Sequence, residues 1–582
     1  MDWKTLEEQA QVSQADRYLA EHLMSLSETP DTLLEQLIAL TSAQIRQGNV
    51  CLPLSGRGPL ARLGIAVAPE RLLKHPLVGL PEAPDERPLI VDGQRLYLAR
   101  YHKWEQQVIQ VLERLLRHQA PAVKPQRLAE ALRQRFPDTQ QATDWQRVAA
   151  ALAITRSLCI ISGGPGTGKT YTVARILDLL LQMSEQPLRI GLAAPTGKAA
   201  GRLTESIRLA DERLLKQVDK AQTLHRLLGM RPGRIQPRYH AEHPLPLDVL
   251  IVDEVSMVDL PMMARLLNAL PEQARLILLG DRFQLASVEA GRIMADICGP
   301  AEPLYPPALA EEIQQLGGDT LPLSQQPLPA MAGHVVSLRH SRRFAPDQGI
   351  GRLAEAVNRG DADAVDKLLR LDDPAIHWHS SRPGALKRLI QQQLIPEFKR
   401  IAQAEDARTA LQNLDRMRLL CAVRQGPQGM EHLNRNIETY LGHEPDSLYH
   451  GRPIMITVND YEQQLFNGDL GLLLKDENGL LKACFYDDDN GLRQVLPARL
   501  PRHETAYAMT VHKSQGSEFN TVILVLPDMP SPVVTRELFY TGITRARQQV
   551  ILCASPTAIK LAVEQQVERF SGLYEAIWQG YS

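Results

Sequence analysis

The sequence predicts an α/β protein with two lobes, each built on a parallel sheet, together with a β-rich insertion and a mainly helical N-terminal domain. Short apolar runs alternate with helical patterns from about residue 145 to 295, which is typical of a parallel sheet covered by helices. A second α/β pattern starts near residue 335, stops near 425 and resumes from about 505. Between its halves, Asn-Gly pairs flanked by β-prone residues indicate hairpins, at Asn467-Gly468, Asn478-Gly479 and Asn490-Gly491.

The first part of the chain is predicted to be a separate domain. Residues 1–120 contain Leu-rich amphipathic stretches around Pro-containing turns, which favours a mainly helical fold. Within them, Leu89–Leu98 is predicted to form a hairpin around Asp92-Gly93. No catalytic cluster is evident there, so we expect an accessory or partner-docking role.

The remaining chain divides into the two lobes. We expect the first lobe over residues 121–345 and the second over 346–582. Seven prolines and several glycines interrupt the first lobe at about 299–334, where we predict a long loop or insertion. The hairpin signals interrupt the second lobe at about 426–503, where we predict a small β-barrel-like (SH3-like) insertion.

The composition is that of an ordinary globular protein. The 582 residues carry a net charge of −2, and 44% are hydrophobic and 23% charged. A near-neutral net charge differs from the basic charge that is typical of nucleic-acid-binding domains. A narrow single-strand channel, however, needs only a local basic and aromatic lining. Six scattered cysteines without a C-x-x-C pair do not favour a zinc or iron–sulfur site. With a polar start and no apolar run near the ~18 residues that span a membrane, we expect a cytoplasmic protein.

A glycine-rich segment carries the strongest chemical signal. Residues 163–170 fit G-x-x-x-x-G-K-[ST], the loop that wraps nucleotide phosphates, and they follow the predicted strand Leu158–Ser162. Backbone N–H groups would contact phosphate oxygens, Lys169 would reach the β- and γ-phosphates, and the Thr170 hydroxyl would hold Mg²⁺. The predicted nucleotide-binding set here is Gly163, Gly164, Pro165, Gly166, Thr167, Gly168, Lys169, Thr170 and Tyr171.

An acidic pair ends a later apolar strand. Leu247–Val252 is followed directly by Asp253 and Glu254. In a protein with this phosphate loop, Asp253 would bind Mg²⁺ directly or through water, and Glu254 would orient or deprotonate the attacking water. The alternative, that both are acidic turn residues, is less favoured because the phosphate loop precedes them in the same predicted sheet.

Further segments follow in the order of known helicase motifs. With Asp253-Glu254-Val255-Ser256, the phosphate loop resembles that of superfamily 1 helicases, and motif-like segments follow at residues 194–200, 223–229, 279–286, 338–344, 510–519 and 540–547. Ala-Pro-Thr-Gly-Lys-Ala-Ala, Thr-Leu-His-Arg-Leu-Leu-Gly and Val-His-Lys-Ser-Gln-Gly-Ser-Glu-Phe are similar to the RecD family, the alpha subunits of bacterial exodeoxyribonuclease V (RecBCD). The resemblance includes Cys51-Leu-Pro-Leu-Ser and covers nearly the whole chain.

The resemblance implies two RecA-like lobes with ATP between them. Gln284 would sense the γ-phosphate or order the attacking water, and Arg343 and Arg545 of the second lobe would contact the phosphoryl oxygens in the transition state. Arg342 stands where the family pattern has an aromatic residue, so it is the alternative to Arg343, which we favour because it directly precedes Phe344. The implied catalytic set is Lys169, Asp253, Glu254, Gln284, Arg343 and Arg545.

Other positions would bind the base, the sugar or DNA. By resemblance, Gln146 would read the adenine edge, and Gly516 and Glu518 would lie at the nucleotide, Glu518 at its sugar. A solvent-exposed glutamine is the alternative for Gln146, and a solvated helix charge is the alternative for Arg545. Hydroxyl and basic groups suit phosphate contacts without sequence information. The implied DNA-binding set is Thr196, Lys198, Thr223, His225, Thr510 and His512.

The resemblance implies a DNA motor. The chain would be an ATP-dependent 5′→3′ single-stranded DNA translocase and helicase, working with RecB and RecC in double-strand break repair by homologous recombination and in degradation of linear DNA. The alternatives are a stand-alone RecD-like helicase, a DNA-stimulated ATPase subunit with a mainly regulatory role, an RNA helicase, and a binding protein with a degenerate ATPase site. The full set of catalytic residue types argues against the last. We expect no nuclease site. The acidic run Asp487-Asp488-Asp489 lies beside an Asn-Gly turn, so we predict that it is a solvated hairpin tip and not a catalytic cluster.

Overall fold

The computed structural model contains two parallel sheets, one in each predicted lobe. It describes residues 3–82, 87–118, 120–137, 143–231, 233–234, 236–339, 341, 349–460, 462–486 and 491–578. The spatial order of the six strands in the first sheet is Val335–Leu338, Leu158–Gly163, Arg275–Gly280, Val249–Val252, Ile190–Ala194 and Gln222–Thr223. Its central strands are buried on both faces, as expected when helices cover a parallel sheet.

Helices pack on both faces of the first sheet. Along Leu158–Gly163, Leu158 and Ile160 enter one hydrophobic core, and Cys159 and Ile161 enter another. This alternation follows from the two-residue period of a strand. The helices of this lobe are Pro125–Arg135, Trp145–Thr155, Lys169–Met183, Gly197–Ala210, Leu224–Leu227, Leu260–Asn268, Ile293–Cys298 and Pro307–Gly317, with short 3₁₀ turns at Leu214–Lys216, Val255–Met257 and Ala330–Gly333.

The end of the first lobe differs from expectation in two ways. The Pro-rich segment is not only a loop, because it contains the helix Pro307–Gly317, whose apolar residues are buried at helical spacing. Proline does not break this helix, since the first turn needs no proline N–H. The strand Val335–Leu338 pairs with Leu158–Gly163 in the first sheet, inside the first lobe predicted over 121–345, so the second α/β pattern starts later than the expected residue of about 335. A short apolar run does not specify which sheet will bury it.

The second sheet is also parallel. Its strands lie in the order Ile376–His379, Ala546–Cys553, Phe519–Val525, Met417–Cys421 and Ala508–Thr510. Its helices are Gly349–Arg359, Ala362–Leu369, Pro383–Leu389, Ile395–Ala402, Ala407–Asn413, Met430–Tyr440, Arg536–Thr544, Pro556–Glu564 and Leu573–Trp578, with a π turn at Ile390–Leu394 and a 3₁₀ turn at His512–Ser514. Within the described ranges, no helix has both the length and the apolar character that a bilayer crossing requires.

The β-rich insertion of the second lobe is a five-stranded antiparallel sheet. Its strands lie in the order Leu492–Val495, Leu481–Tyr486, Leu470–Lys475, Arg452–Ile456 and His503–Thr505, with a 3₁₀ turn at Pro497–Arg499. Asn478-Gly479 forms a hairpin turn, where Gly479 has a φ of +78°. Asn490 and residues 487–489 lie outside the described residues. The β-rich character is confirmed, whereas the SH3-like form and the domain bounds stay predictions.

The N-terminal region combines helices with a small sheet. The helices are Trp3–Ala10, Gln14–Ser25, Thr32–Arg46, Pro59–Arg62, Pro69–Leu72 and Ala99–Arg117. The sheet has the strand order Leu52–Pro53, Arg95–Leu98, Leu89–Asp92 and Val78–Gly79. The hairpin predicted around Asp92-Gly93 is confirmed, because its two strands pair antiparallel with Asp92 opposite Arg95.

The C-terminal segment returns from the second lobe to the N-terminal region. The Val50 N–H donates to the Phe570 carbonyl at 2.8 Å. Glu105, on the helix Ala99–Arg117, accepts from the Gly572 N–H and from the Tyr97 hydroxyl, each at 2.9 Å. Burial is the main cause that raises the pKa of Glu105 to about 7. One buried carboxyl group therefore joins the hairpin, the helix and the C-terminal segment.

The raised pKa of Glu105 predicts a pH-dependent stability. The pKa rises from an ordinary value of 4.5 to about 7 on folding, so the folded chain holds this proton more tightly than the unfolded chain. The stabilisation is complete below the unfolded pKa and is lost as the pH rises through the folded pKa. We expect Glu105→Gln to raise the thermal unfolding midpoint most at pH 7 and above, progressively less between pH 7 and 4.5, and little below pH 4.5.

Thermal unfolding of both proteins across this pH range tests the expectation. Glu113→Gln on the same helix is the matched control, because Glu113 pairs only with the exposed Arg117 in the described structure. Equal midpoints for Glu105→Gln and the unchanged chain on the alkaline side would contradict the assigned protonation.

Candidate functional site

The predicted phosphate-binding loop lies between a buried strand and a helix, as expected. The strand Leu158–Gly163 ends at the loop, and the helix Lys169–Met183 begins directly after it. Gly168 has a φ of +83°, a left-handed conformation that favours glycine. A Cβ atom at Gly168 would also collide with the amide nitrogen of Gln146. The final turn of the loop therefore requires glycine for two independent reasons.

The lysine of the loop begins the helix. The Lys169 ammonium group donates to the Gly163 carbonyl oxygen at 2.6 Å and lies 3.4 Å from the Gly164 carbonyl oxygen. Thr170 and Tyr171 follow in the first turn and are half-buried. The N-terminal end of a helix favours anions through its free N–H groups and its dipole. The Lys169 ammonium group, the Thr170 hydroxyl and the N-terminal end of the helix therefore lie together at one edge of the first sheet.

The predicted acidic pair lies at the same edge. Asp253 follows the strand Val249–Val252, is 8% exposed, and accepts from the Glu254 N–H at 2.8 Å. Burial, and then the negative charge of Glu254, raise the pKa of Asp253 to about 6, and the charge of Lys169 opposes this rise. Glu254 has a φ of +54°, which is uncommon for a residue with a side chain. Such backbone strain concentrates at functional sites.

Several buried polar atoms of the acidic pair and the motif-like segments have no hydrogen-bond partner in the described part of the chain. They are Glu254 Oε2, Ser256 Oγ and Gln284 Oε1. The Gln284 amide nitrogen does have a partner, because it donates to Asp281 at 3.3 Å. Leaving a buried polar group unsatisfied costs about 1–3 kcal/mol. Each of these atoms suits a polar ligand or an ordered water.

Hydrogen bonds from Asp281 and Leu285, just after Gly280, join this segment to the second lobe. The Tyr540 hydroxyl donates to Asp281 Oδ2 at 2.8 Å. The Leu285 N–H donates to Thr541 Oγ1 at 2.9 Å, and the Leu285 carbonyl accepts from the Gln515 amide at 2.9 Å. These residues lie within the motif-like segments, but the sequence analysis assigned none of them a role. Their position in those segments was the signal that could have identified them, whereas the sequence does not indicate which of them pair across the lobes.

Arg545 is buried at the interface between the lobes and is not a solvated helix charge. It is 2% exposed, and it donates to the carbonyl oxygens of Thr541 at 3.3 Å and Ser517 at 3.2 Å. Burial lowers the pKa of Arg545, and the negative charges of Glu254 and Glu518 oppose this effect. The guanidinium group therefore lies within electrostatic range of a carboxylate of the other lobe. Residues 342–348, with the predicted Arg343, lie outside the described residues.

Two predicted nucleotide contacts have protein partners. The Gln146 amide nitrogen is buried and donates to the Thr167 carbonyl at 2.9 Å, so Gln146 is not a solvent-exposed residue. Glu518 pairs with Arg202 of the first lobe at 2.8 Å and with Arg547 at 3.1 Å. Both side chains are at the predicted cleft, and their roles toward base and sugar stay predictions.

The predicted DNA-binding residues lie at helix ends and turns of both lobes. The hydroxyls of Thr196 and Thr223 cap helices by accepting from the N–H groups three residues later. Thr510 likewise accepts from the Lys513 N–H at 3.3 Å. Lys198 and His512 are half-buried, and burial lowers the pKa of each. His225 is exposed in the residue as a whole, and partial burial of its ring lowers its pKa too. The DNA contacts of these six residues stay predictions.

Three family models match different parts of the chain. An AAA domain matches residues 146–290, which include the phosphate loop and the acidic pair. A UvrD-like helicase C-terminal domain matches residues 505–553. The N-terminal domain of RecBCD enzyme subunit RecD matches residues 8–97. The matches are distributed over both lobes and the N-terminal region.

Similar proteins match most of the chain. RecBCD enzyme subunit RecD of Mycolicibacterium smegmatis is 37% identical over 96% of this chain and 96% of its own length. The protein of the same description from Haemophilus influenzae is 38% identical over 84% of this chain and 80% of its own. ATP-dependent RecD2 DNA helicase of Deinococcus radiodurans is 33% identical over 72% of this chain and 50% of its own.

Proposed function

The chain belongs to the RecD family of RecBCD enzyme subunits, and on that premise we propose that it is an ATP-dependent 5′→3′ single-stranded DNA translocase and helicase. It acts with RecB and RecC in double-strand break repair by homologous recombination and in degradation of linear DNA. The observation that carries this proposal is the contact between the lobes beside the phosphate loop, where the Tyr540 hydroxyl of the second lobe donates to Asp281 of the first at 2.8 Å and Arg545 is buried one turn farther along the chain. Hydrolysis that needs both lobes couples chemistry to lobe movement.

The residues of the first lobe fit ATP and Mg²⁺. The oxygens of Thr170 and Asp253 are the ligand type that Mg²⁺ prefers, and they would hold the ion. Bound Mg²⁺ neutralises charge on the phosphates. Lys169 would exchange its loop carbonyls for phosphate oxygens. The unpartnered oxygens of Glu254 and Gln284 support a water between them, which Gln284 would orient and Glu254 would deprotonate.

The second lobe completes the proposed site. Arg545 and Arg343 would contact the transferred phosphoryl group, because planar guanidinium groups match its oxygens. Gln146 would exchange the Thr167 carbonyl for the adenine edge. Glu518 would exchange one of its two arginine partners for the nucleotide sugar. Nucleotide binding would therefore replace contacts that Gln146 and Glu518 make within the protein.

We propose that single-stranded DNA crosses both lobes. Phosphate contacts from hydroxyls, basic groups and helix N-termini hold a strand without reading its sequence, as a motor requires. The proposed contacts are those of Thr196, Lys198, Thr223, His225, Thr510 and His512.

We propose that the N-terminal domain, residues 1–120, docks the chain to its partners. The match of residues 8–97 to the N-terminal domain of the RecD subunit supports a subunit over a stand-alone helicase. The motor lobes would then span residues 121–345 and 346–582. We assign no nuclease site to this chain and expect that activity in RecB.

Strand separation by the purified chain tests the function. The substrates are duplexes with a single-stranded tail at either the 5′ or the 3′ end, with ATP and Mg²⁺ present. We expect unwinding from the 5′ tail alone, because a 5′→3′ motor loads there and moves toward the duplex. The loss of unwinding in Lys169→Gln shows that the activity belongs to this site.

Other outcomes separate the alternatives. Unwinding from the 3′ tail alone would contradict the proposed polarity. DNA-stimulated ATP hydrolysis without unwinding would favour a subunit whose motor needs its complex, and the assay would then be repeated with RecB and RecC. Equal unwinding of DNA and RNA tails would favour the RNA-helicase alternative.

A further inference from the structure

Arg202 joins the two lobes beside the proposed ATP site. It lies on the helix Gly197–Ala210 of the first lobe, one turn after Lys198. One terminal nitrogen donates to the Gly516 carbonyl at 2.7 Å, and the other lies 2.8 Å from Glu518 Oε2. Both acceptors belong to the second lobe and lie in the turn 516–518, which ends at the strand Phe519–Val525. The forked guanidinium group of arginine presents a separate nitrogen to each of these two acceptors.

The turn that Arg202 holds also contacts Arg545. Between the two acceptors of Arg202, the Ser517 carbonyl accepts from Arg545 at 3.2 Å. Gly516 has a φ of +72°, so this turn depends on a conformation that other residues rarely adopt. The Glu518 side chain is only 13% exposed. A shift of residues 516–518 would therefore shift a hydrogen-bond partner of Arg545.

Arg202 lies at the margin of the cleft between the lobes. Its side chain is 36% exposed, whereas the Glu518 side chain that it contacts is 13% exposed. The Gly516 carbonyl and the Glu518 carboxylate that it holds are on either side of Ser517, whose carbonyl accepts from Arg545.

The other end of the same helix faces the proposed DNA path. Thr196 caps the helix, and Lys198 lies in its first turn. A helix moves as a rigid unit over this short length, so a displacement of its first turn is carried to Arg202. The helix and the turn 516–518 thus form a continuous chain of contacts from Lys198 to Arg545.

We propose that Arg202 is a positioning residue that makes ATP hydrolysis depend on bound DNA. The inference rests on the proposed function and deepens it, because it identifies the residue that connects the proposed DNA path with the proposed ATP site. DNA held at Thr196 and Lys198 fixes the helix, Arg202 fixes the turn 516–518, and the turn places Arg545. Without Arg202, the Gly516 carbonyl loses its donor and Glu518 keeps only Arg547, so the turn is free to shift.

Steady-state ATP hydrolysis by the full chain, with and without a single-stranded oligodeoxythymidylate, tests the inference. For Arg202→Ala we expect kcat with DNA to fall about tenfold, while KM for ATP and Kd for the oligonucleotide stay within about twofold. Arg202→Lys keeps the charge but makes one contact in place of two, so we expect it to recover only part of the loss. Arg208→Ala, an exposed position of the same helix that pairs with Glu205, should match the unchanged chain.

Two results would overturn the inference while leaving the proposed function intact. One is a kcat of Arg202→Ala with DNA that stays within about twofold of the unchanged chain. The other is a loss of kcat that saturating oligonucleotide restores, with a weakened Kd, because Arg202 would then be a phosphate contact. Absence of DNA-stimulated turnover in the unchanged chain would instead overturn the proposed function. Thermal unfolding of each variant shows whether it is folded. If Arg202→Ala does not fold, Arg202→Lys takes its place in the comparison of kcat values.

Discussion

Lys169→Gln should abolish ATP turnover while the chain stays folded. The Lys169 ammonium group contacts only loop carbonyls among the described residues, so its loss removes no element of the core. In the proposed site it is a preorganised positive donor at the phosphates, and removing one such donor costs about 10²–10³ in rate. Initial rates of phosphate release with saturating ATP, Mg²⁺ and single-stranded DNA measure the effect, and thermal unfolding checks the fold.

Lys560→Gln is the matched control for this experiment. Lys560 is an exposed lysine of the second lobe whose ion pair is with Glu564. An exposed pair of this kind contributes little to stability, so we expect neither rate nor unfolding to change. Substantial residual ATP hydrolysis by the folded Lys169→Gln variant would contradict the assignment of the phosphate loop to the ATP site.

Arg545→Lys should lower kcat by about 10³-fold, the low end of the range for an arginine finger. Lysine keeps the positive charge near Glu254 but lacks the planar fork that contacts two phosphoryl oxygens. We expect KM for ATP to change far less than kcat, because the contact is made in the transition state and not in the ground state. The measurement is the split of kcat and KM in the DNA-stimulated reaction.

The burial of Arg545 requires a check on folding. Its guanidinium group donates to the Thr541 and Ser517 carbonyls, so part of any loss could come from the interface itself. Binding of a fluorescent ATP analogue and the unfolding midpoint separate the two causes. Arg370→Lys, at an exposed arginine paired with Asp366, is the control. A folded Arg545→Lys variant with kcat within about tenfold of the unchanged chain would contradict the assignment.

The local architecture of the site was predictable from short segments. Leu158–Gly163, the loop and Lys169–Met183 form the expected strand, loop and helix. The strand before Asp253 and the hairpin at Asp92-Gly93 also agree with expectation. Each depends on residues that are neighbours in the chain, where the period of apolar residues and the freedom of glycine decide the backbone. The family assignment followed from the same segments and is confirmed by its relatives.

The sequence by itself determined the local elements, the residue types of the proposed site and the family. Only the tertiary structure decided that Val335–Leu338 joins the first sheet, that Asp281 bonds to Tyr540, and that Arg202 holds the turn before Phe519. Asp281 and Tyr540 are 259 residues apart in the chain. Periodicity and turn chemistry act over a few residues, whereas such a contact depends on strand order and on how the two sheets pack against each other. No short pattern contains that information, because it is a property of the whole folded chain.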